Sequence, residues 1–144
     1  MESEYQYGPL SQGPDTILIV DDDEMNRAIL ENIFSSFYAV EEAENGREGL
    51  EKLTANQEKI CAVLLDVVMP EMDGLQVLHV LEQRGLLGKI PVFLITAEAS
   101  DATMREAYEL GVMDVISKPV VPYVVRRRVN SVVELFQARR RLGN

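Results

Sequence analysis

The sequence predicts a doubly wound parallel α/β fold, and three observations carry that reading. Short runs of β-branched and apolar residues recur along the chain, at 16–20, 38–42, 60–66, 91–96 and 114–117. Between and after them lie segments with apolar residues at helical spacing, the alternation that builds βαβ units and a parallel sheet. The run Ile60-Cys61-Ala62-Val63-Leu64-Leu65 is apolar throughout, as expected of a strand covered on both faces.

In chain order, 1–15 mixes Gly, Pro, Ser, Gln and Tyr without periodicity and reads as a flexible leader. Strand 16–20 runs into Asp21-Asp22-Asp23-Glu24. A helix over 25–37 follows, with Ala28, Ile29, Ile33 and Phe37 on one face. Strand 38–42 is more polar and suits a sheet edge. Asn45-Gly46 opens a helix carrying Leu50 and Leu53. Strand 60–66 ends in one carboxylate, Asp66, followed by Pro70 and an Asp73-Gly74 turn. The helix 75–84 turns Leu75, Leu78 and Leu81 inward and stops at Gly85. Strand 91–96 ends at Thr96. The helix 101–110 presents Met104, Ala107 and Tyr108 and stops at Gly111. Strand 114–117 leads into Lys118-Pro119. A last helix starts at Pro122, a residue suited to a first turn, and runs to about residue 141. Its apolar row is Val125, Val129, Val132 and Phe136, with Val121, Val124 and Leu135 to one side.

Right-handed crossovers with helices on both faces give the strand order 2-1-3-4-5, the flavodoxin-like arrangement. Ligands bind such sheets at the carboxyl ends of the strands, beside the switch point between the first and third. That edge collects Asp21, Asp22, Asp66, Thr96 and Lys118. Carboxylates so close repel unless a cation lies between them, and a hard oxygen donor set suits Mg²⁺, or Mn²⁺ in its place. An ammonium and a hydroxyl beside them suit phosphoryl oxygens. Asp66 is then a carboxylate nucleophile able to form an acyl phosphate. Taken singly, each piece has a plainer reading. The acidic run could serve only a helix N-terminus, Thr96 could be an ordinary strand residue, and Lys118-Pro119 only a turn.

Composition narrows the classes. The 144 residues suffice for one domain. Apolar content of 47% is that of a globular chain. No run approaches membrane-spanning length, and the start lacks a signal-peptide pattern. The single cysteine, Cys61, reads as a core residue in a reducing compartment, and no Cys/His cluster suggests zinc. Through Val120 there are 23 acidic and 8 basic residues, a balance of −15; from Val121 on, 6 arginines and 1 glutamate give +5, which together make the net −10. An acidic body argues against nucleic acid as a partner of this domain. The arginines near a helix C-terminus fit its dipole.

The segments Ile17-Leu18-Ile19-Val20-Asp21-Asp22-Asp23, Leu65-Asp66-Val67-Val68-Met69-Pro70-Glu71-Met72-Asp73-Gly74, Leu94-Ile95-Thr96-Ala97 and Ser117-Lys118-Pro119 resemble the receiver domain of two-component response regulators. The resemblance implies Asp66 as phosphoacceptor, fed by a sensor histidine kinase or phosphotransfer protein. It implies Mg²⁺ held by Asp22, Asp66 and the carbonyl of Val68, with Asp21 acting through water. It implies Lys118 and Thr96 on the phosphoryl group, helped by the amides of Val68 and Ala97, and a cis Lys118-Pro119 bond. It further implies a cytoplasmic signalling switch that catalyses only its own phosphoryl transfer and slow hydrolysis. One position departs from the pattern: Val115 stands where the family usually has Tyr or Phe. His79 fits a helix-surface residue better than a phosphoacceptor, and Glu98 occupies a position that tunes dephosphorylation in the family or is a solvated loop residue. The rival enzyme reading, a haloacid-dehalogenase-type phosphatase, needs a second Asp where Val68 stands. The expected organisation is a leader over 1–15, a receiver over 16–133 and a helix extension over 134–144. That extension would project and pair with a second copy or lead to an output domain.

Overall fold

The computed structural model describes residues 13–143. Its five strands are β1 Thr16–Val20, β2 Ala39–Ala43, β3 Ile60–Leu65, β4 Val92–Thr96 and β5 Asp114–Ser117. The five helices are α1 Glu24–Phe34, α2 Gly46–Ala55, α3 Gly74–Gln83, α4 Asp101–Leu110 and α5 Pro122–Gly143. All strand pairs are parallel, in the order β2-β1-β3-β4-β5. The fold class and strand order are those read from the sequence.

Strand alternation splits the apolar residues between two cores. Leu18, Val20, Val63, Leu65, Val92 and Leu94 face Leu50 and Leu53 of α2, Val77, Leu78 and Leu81 of α3, and Ala107 of α4. Ile17, Ile19, Ala62, Leu64, Phe93 and Ile95 face Leu30, Ile33 and Phe34 of α1 and Val125, Val129 and Val133 of α5. β1, β3 and β4 are buried along their whole length. The edge strand β2 alternates exposed and partly buried positions, as its polar sequence predicts.

Helix faces and ends depart from the sequence expectations in several places. α1 ends at Phe34 rather than residue 37, because the carbonyl of Phe34 receives both the Phe37 and Tyr38 N–H groups in a tight turn. The face it buries is Leu30, Ile33 and Phe34; Ala28 and Ile29 are exposed. Both rows have helical spacing, and contact with Ile17 and Ile19 decides between them. On α5 the fully buried row is Val125, Val129 and Val133, with Val132 only partly buried against the core. On α3, Val77 joins Leu78 and Leu81 inside, and Leu75 is partly buried. On α4, Ala107 alone is buried, and Tyr108 is 44% exposed.

Residues 1–12 of the expected leader lie outside the described residues. Asp15 is tied down: its N–H donates to Lys59 O at 3.0 Å and its carbonyl accepts from Ala39 at 3.1 Å. α5 is about 33 Å long at 1.5 Å per residue and continues past Leu135 without a break. Where the sequence reading has it project from the body, it lies across the amino-terminal edge of the sheet. Gln137 donates to Pro14 O at 3.2 Å. Phe136 and Arg140 roof a cavity of about 180 Å³ floored by Ile60, Cys61 and Pro91. Leu135 and Leu142 point outward, 49% and 88% exposed.

Candidate functional site

Main-chain bonds at the carboxyl edge of the sheet set the site. Asp21 N–H donates to Ala43 O at 3.1 Å, and Asp66 N–H donates to Val20 O at 2.9 Å. Each bond extends the ladder one residue beyond its strand, which brings Asp21 and Asp66 side by side. Both are buried, 2% and 7% exposed. Carboxylate oxygens of Asp21, Asp22 and Asp66 all lie within 4.8 Å of one another, and Asp22 faces solvent. Asp23 does a different job: its side chain caps α1, accepting from Met25 N–H at 2.9 Å and Asn26 N–H at 3.4 Å. The acidic run therefore divides into two site carboxylates, one helix cap and Glu24 in the first turn of α1.

Lys118 arrives from β5. Its N–H donates to Thr96 O at 2.9 Å, which ties the ends of β4 and β5 together. The Nζ donates to Asp21 Oδ2 at 2.7 Å and to Asp66 Oδ2 at 3.1 Å. Burial works to lower the pKa of this ammonium, but the hydrogen bond from Nζ to Asp21 and the charges of Asp66 and Asp21 outweigh it. The net shift is upward. The Lys118–Pro119 bond is cis. Thr96 is fully buried, and its Oγ1 accepts from Glu98 N–H at 3.0 Å. Ala97 and Glu98 lie exposed at the mouth.

The β3–α3 loop carries Val68, 55% exposed, between buried Val67 and Met69. The loop is closed by Gly74, whose N–H donates to Val67 O at 2.8 Å. A Cβ at Gly74 would lie 2.3 Å from Asp66 O and 2.8 Å from Val67 Cα, so only glycine fits. Asp73 and Gln76 then start α3 with a reciprocal capping box.

Three carboxylates face one ammonium, a formal local charge of −2 before any cation binds. All three offer hard oxygen donors, and two are held by the backbone ladder. The set fits a small divalent cation that keeps several waters.

Two partners escaped the sequence reading, one at the site and one at the start of β5. Arg27 Nη1 donates to Asp21 O at 2.8 Å, and its Nε pairs with Glu42 Oε1 at 3.0 Å. Arg27 lies four residues after the cap Asp23, and that spacing points its side chain back toward the helix start; a proximal signal was thus present. The second partner is Tyr108, whose hydroxyl donates to Asp114 Oδ1 at 3.0 Å and accepts from Val115 N–H at 3.1 Å. Asp114 also pairs with Arg128 at 3.4 Å. Tyr108 thus ties α4 to the main chain at Val115. His79 lies on the outer side of α3, 2.8 Å from Glu106 of α4.

The doubly wound sheet carries a carboxylate cluster and a lysine at its switch point, an acidic class of α/β domain. The sequence model described as "Response regulator receiver domain" matches residues 17–130, and the chain belongs to that family, the receiver domains of two-component systems. Among curated proteins it is 33% identical to the transcriptional regulatory protein SrrA of Staphylococcus aureus, over 85% of this chain and 49% of that protein. It is 30% identical to the 3',5'-cyclic-nucleotide phosphodiesterase regA of Dictyostelium discoideum, over 87% of this chain and 16% of that protein. The chain spans half or less of the length of the first such relatives. Among solved structures, CheY4 of Vibrio cholerae superposes with a TM-score of 0.75 at 25% identity, covering 83% of this chain and 98% of that one. The CheX–CheY–BeF3–Mg complex of Borrelia burgdorferi matches with a TM-score of 0.75 at 30% identity, covering 83% of this chain and 89% of that one. No helix among the described residues is long and apolar enough to cross a membrane.

Proposed function

We propose that this chain is a phosphorylation-dependent signalling switch in which Asp66 accepts a phosphoryl group from a phosphohistidine on a sensor kinase or phosphotransfer protein. The observation that carries the reading is the Lys118 ammonium, 3.1 Å from Asp66 Oδ2 in a buried, carboxylate-lined strand end. An Asp66 oxygen attacks phosphorus in line. The O–P bond forms as the P–N bond to the donor imidazole breaks, and the imidazole leaves with the electron pair and takes up a proton. Lys118 moves from its carboxylate partners to a phosphoryl oxygen, so that a cation stays beside the charge as it shifts. The Thr96 hydroxyl already accepts from Glu98, which leaves its own O–H to donate to a second phosphoryl oxygen. Asp22, Asp66 and the carbonyl of Val68 would hold Mg²⁺ or Mn²⁺, with Asp21 assisting through water. The ion's chemistry is to neutralise charge on the transferred group.

In this reading the switch unit is 16–133, and 134–144 extends its last helix. The signal leaves by a changed surface read by an output protein or domain, or by pairing of two copies through α5. The catalysis is limited to transfer onto Asp66 and its slow hydrolysis. Burial of the lone thiol and the acidic surface suit the cytoplasm. The Borrelia relative, solved with BeF3 and Mg, supports the same chemistry here. The test is incubation with acetyl phosphate and Mg²⁺, followed by intact mass. One phosphoryl group should add to the wild type and none to Asp66→Asn. Addition that persists in the variant would overturn the assignment, and steady turnover of small phosphoesters would favour the phosphatase reading.

A further inference from the structure

We infer that Arg27 is a positioning residue for the divalent-cation site, holding the Asp21–Asp22 peptide in the orientation that aims the Asp22 carboxylate at Asp21 and Asp66. The inference rests on the proposed Mg²⁺-dependent function and adds a residue to it. The peptide after Asp21 is planar, so fixing the Asp21 carbonyl fixes the direction in which Asp22 leaves it. Three bonds do that. Asp21 N–H is held by Ala43 O at 3.1 Å. Asp21 Oδ1 accepts from Asp23 N–H at 2.9 Å. The Asp21 carbonyl accepts from Arg27 Nη1 at 2.8 Å.

Only the third reaches the carbonyl itself from another residue's side chain, and that side chain is itself anchored. Arg27 Nε is 3.0 Å from Glu42 Oε1, and the Arg27 side chain is 13% exposed against 41% for Glu42. The planar guanidinium spans from β2 to the end of β1, with one edge on a carboxylate and another donor on a carbonyl. An ammonium has no such rigid fork.

Charge and geometry predict opposite effects, which makes the role decidable. A guanidinium near a cation site repels the cation, although Glu42 offsets the charge. If Arg27 acted only through its charge, Arg27→Gln would tighten Mg²⁺ binding and Arg27→Lys would leave it unchanged. If it acts by holding the loop, both variants lose affinity, by roughly tenfold or more, as for partners that orient metal ligands elsewhere.

The experiment is Mg²⁺ titration of the full chain by calorimetry for the wild type, Arg27→Lys and Arg27→Gln, with thermal unfolding in parallel. ¹⁵N relaxation of Asp22 and Asp23 is measured on the metal-free proteins. The expected result is about tenfold weaker Mg²⁺ binding in both variants, greater backbone mobility at Asp22, and unfolding midpoints too close to account for the loss. Wild-type affinity in either variant overturns the inference. So does unchanged mobility at Asp22, which is read without any metal. A wild type that binds no Mg²⁺ would instead sink the functional reading, while the relaxation data would still decide whether Arg27 holds the loop.

Discussion

At the scale of single residues, two ionisable groups are shifted upward, Cys61 by burial and Lys118 by its carboxylate partners against burial. The Cys61 thiol is buried on the α1–α5 side of the sheet, and burial pushes its pKa up to about 12 from an ordinary value near 9. Its folded pKa is raised, so the contribution to stability is fully present below the unfolded value. It is lost as pH rises from about 9 toward 12. Lys118, also shifted upward, acts in the same sense at the alkaline end. Urea unfolding midpoints should therefore fall above about pH 9, and Cys61→Ala should flatten the early part of the fall; a flat midpoint to pH 11 in the wild type would contradict this. At pH 8 a disulfide reagent should label Cys61 only as fast as the fold opens, and at once in denaturant. Gly74 is the other decisive residue. A Cβ there meets the Asp66 carbonyl at 2.3 Å, so Gly74→Ala should displace the acceptor peptide and lower the phosphorylation rate before the fold is lost. An unchanged rate in that variant would show that the loop can move aside.

At the scale of elements, α3 and α4 carry the sharpest expectations. The capping box at Asp73 and Gln76 predicts that Asp73→Ala costs about 1 kcal/mol in chemical denaturation. Tyr108→Phe removes the hydroxyl that joins α4 to Asp114 and Val115. Val115 N–H keeps Asp114 Oδ1 as a partner, so the loss should be no more than about 1 kcal/mol, with faster amide exchange localised at β5. Exchange unchanged at β5 would mean that the hydroxyl holds nothing. The same elements mark what a sequence can and cannot disclose. The meeting of Asp66 and Lys118 was legible because both follow strands of one parallel sheet, whose carboxyl ends share an edge. The strands were legible because apolar runs between turn residues admit one period. The face of α1 was not: Ala28, Ile29, Ile33 and Phe37 compete with Leu30, Ile33 and Phe34 at equal spacing, and only the packed sheet chooses between them. The bonds of Arg27 to Asp21 O and of Tyr108 to Val115 N–H went unread because backbone groups carry no sequence label.

At the scale of the whole molecule, the two cores are unequal in how they are closed. One is covered by α2, α3 and α4, which follow one another along the chain. The other is closed by α1 and α5, near opposite ends of the described residues. Its central residue, Phe93, is fully buried, and Phe93→Ala should cost about 3–5 kcal/mol. This asymmetry has a consequence for synthesis on the ribosome. The α2–α4 side can close as its helices emerge in turn. The α1 side stays half bare, with Ile17, Ile19, Phe93 and Ile95 lacking Val125, Val129 and Val133, until α5 clears the exit tunnel. Nascent chains stalled with Val121 just outside the exit tunnel should therefore bind holdase chaperones and resist compaction, and chains with Gly143 clear of the tunnel should not. A compact, protease-resistant nascent chain at the earlier stall would mean that four helices and the sheet suffice, with α5 docking onto a body already formed.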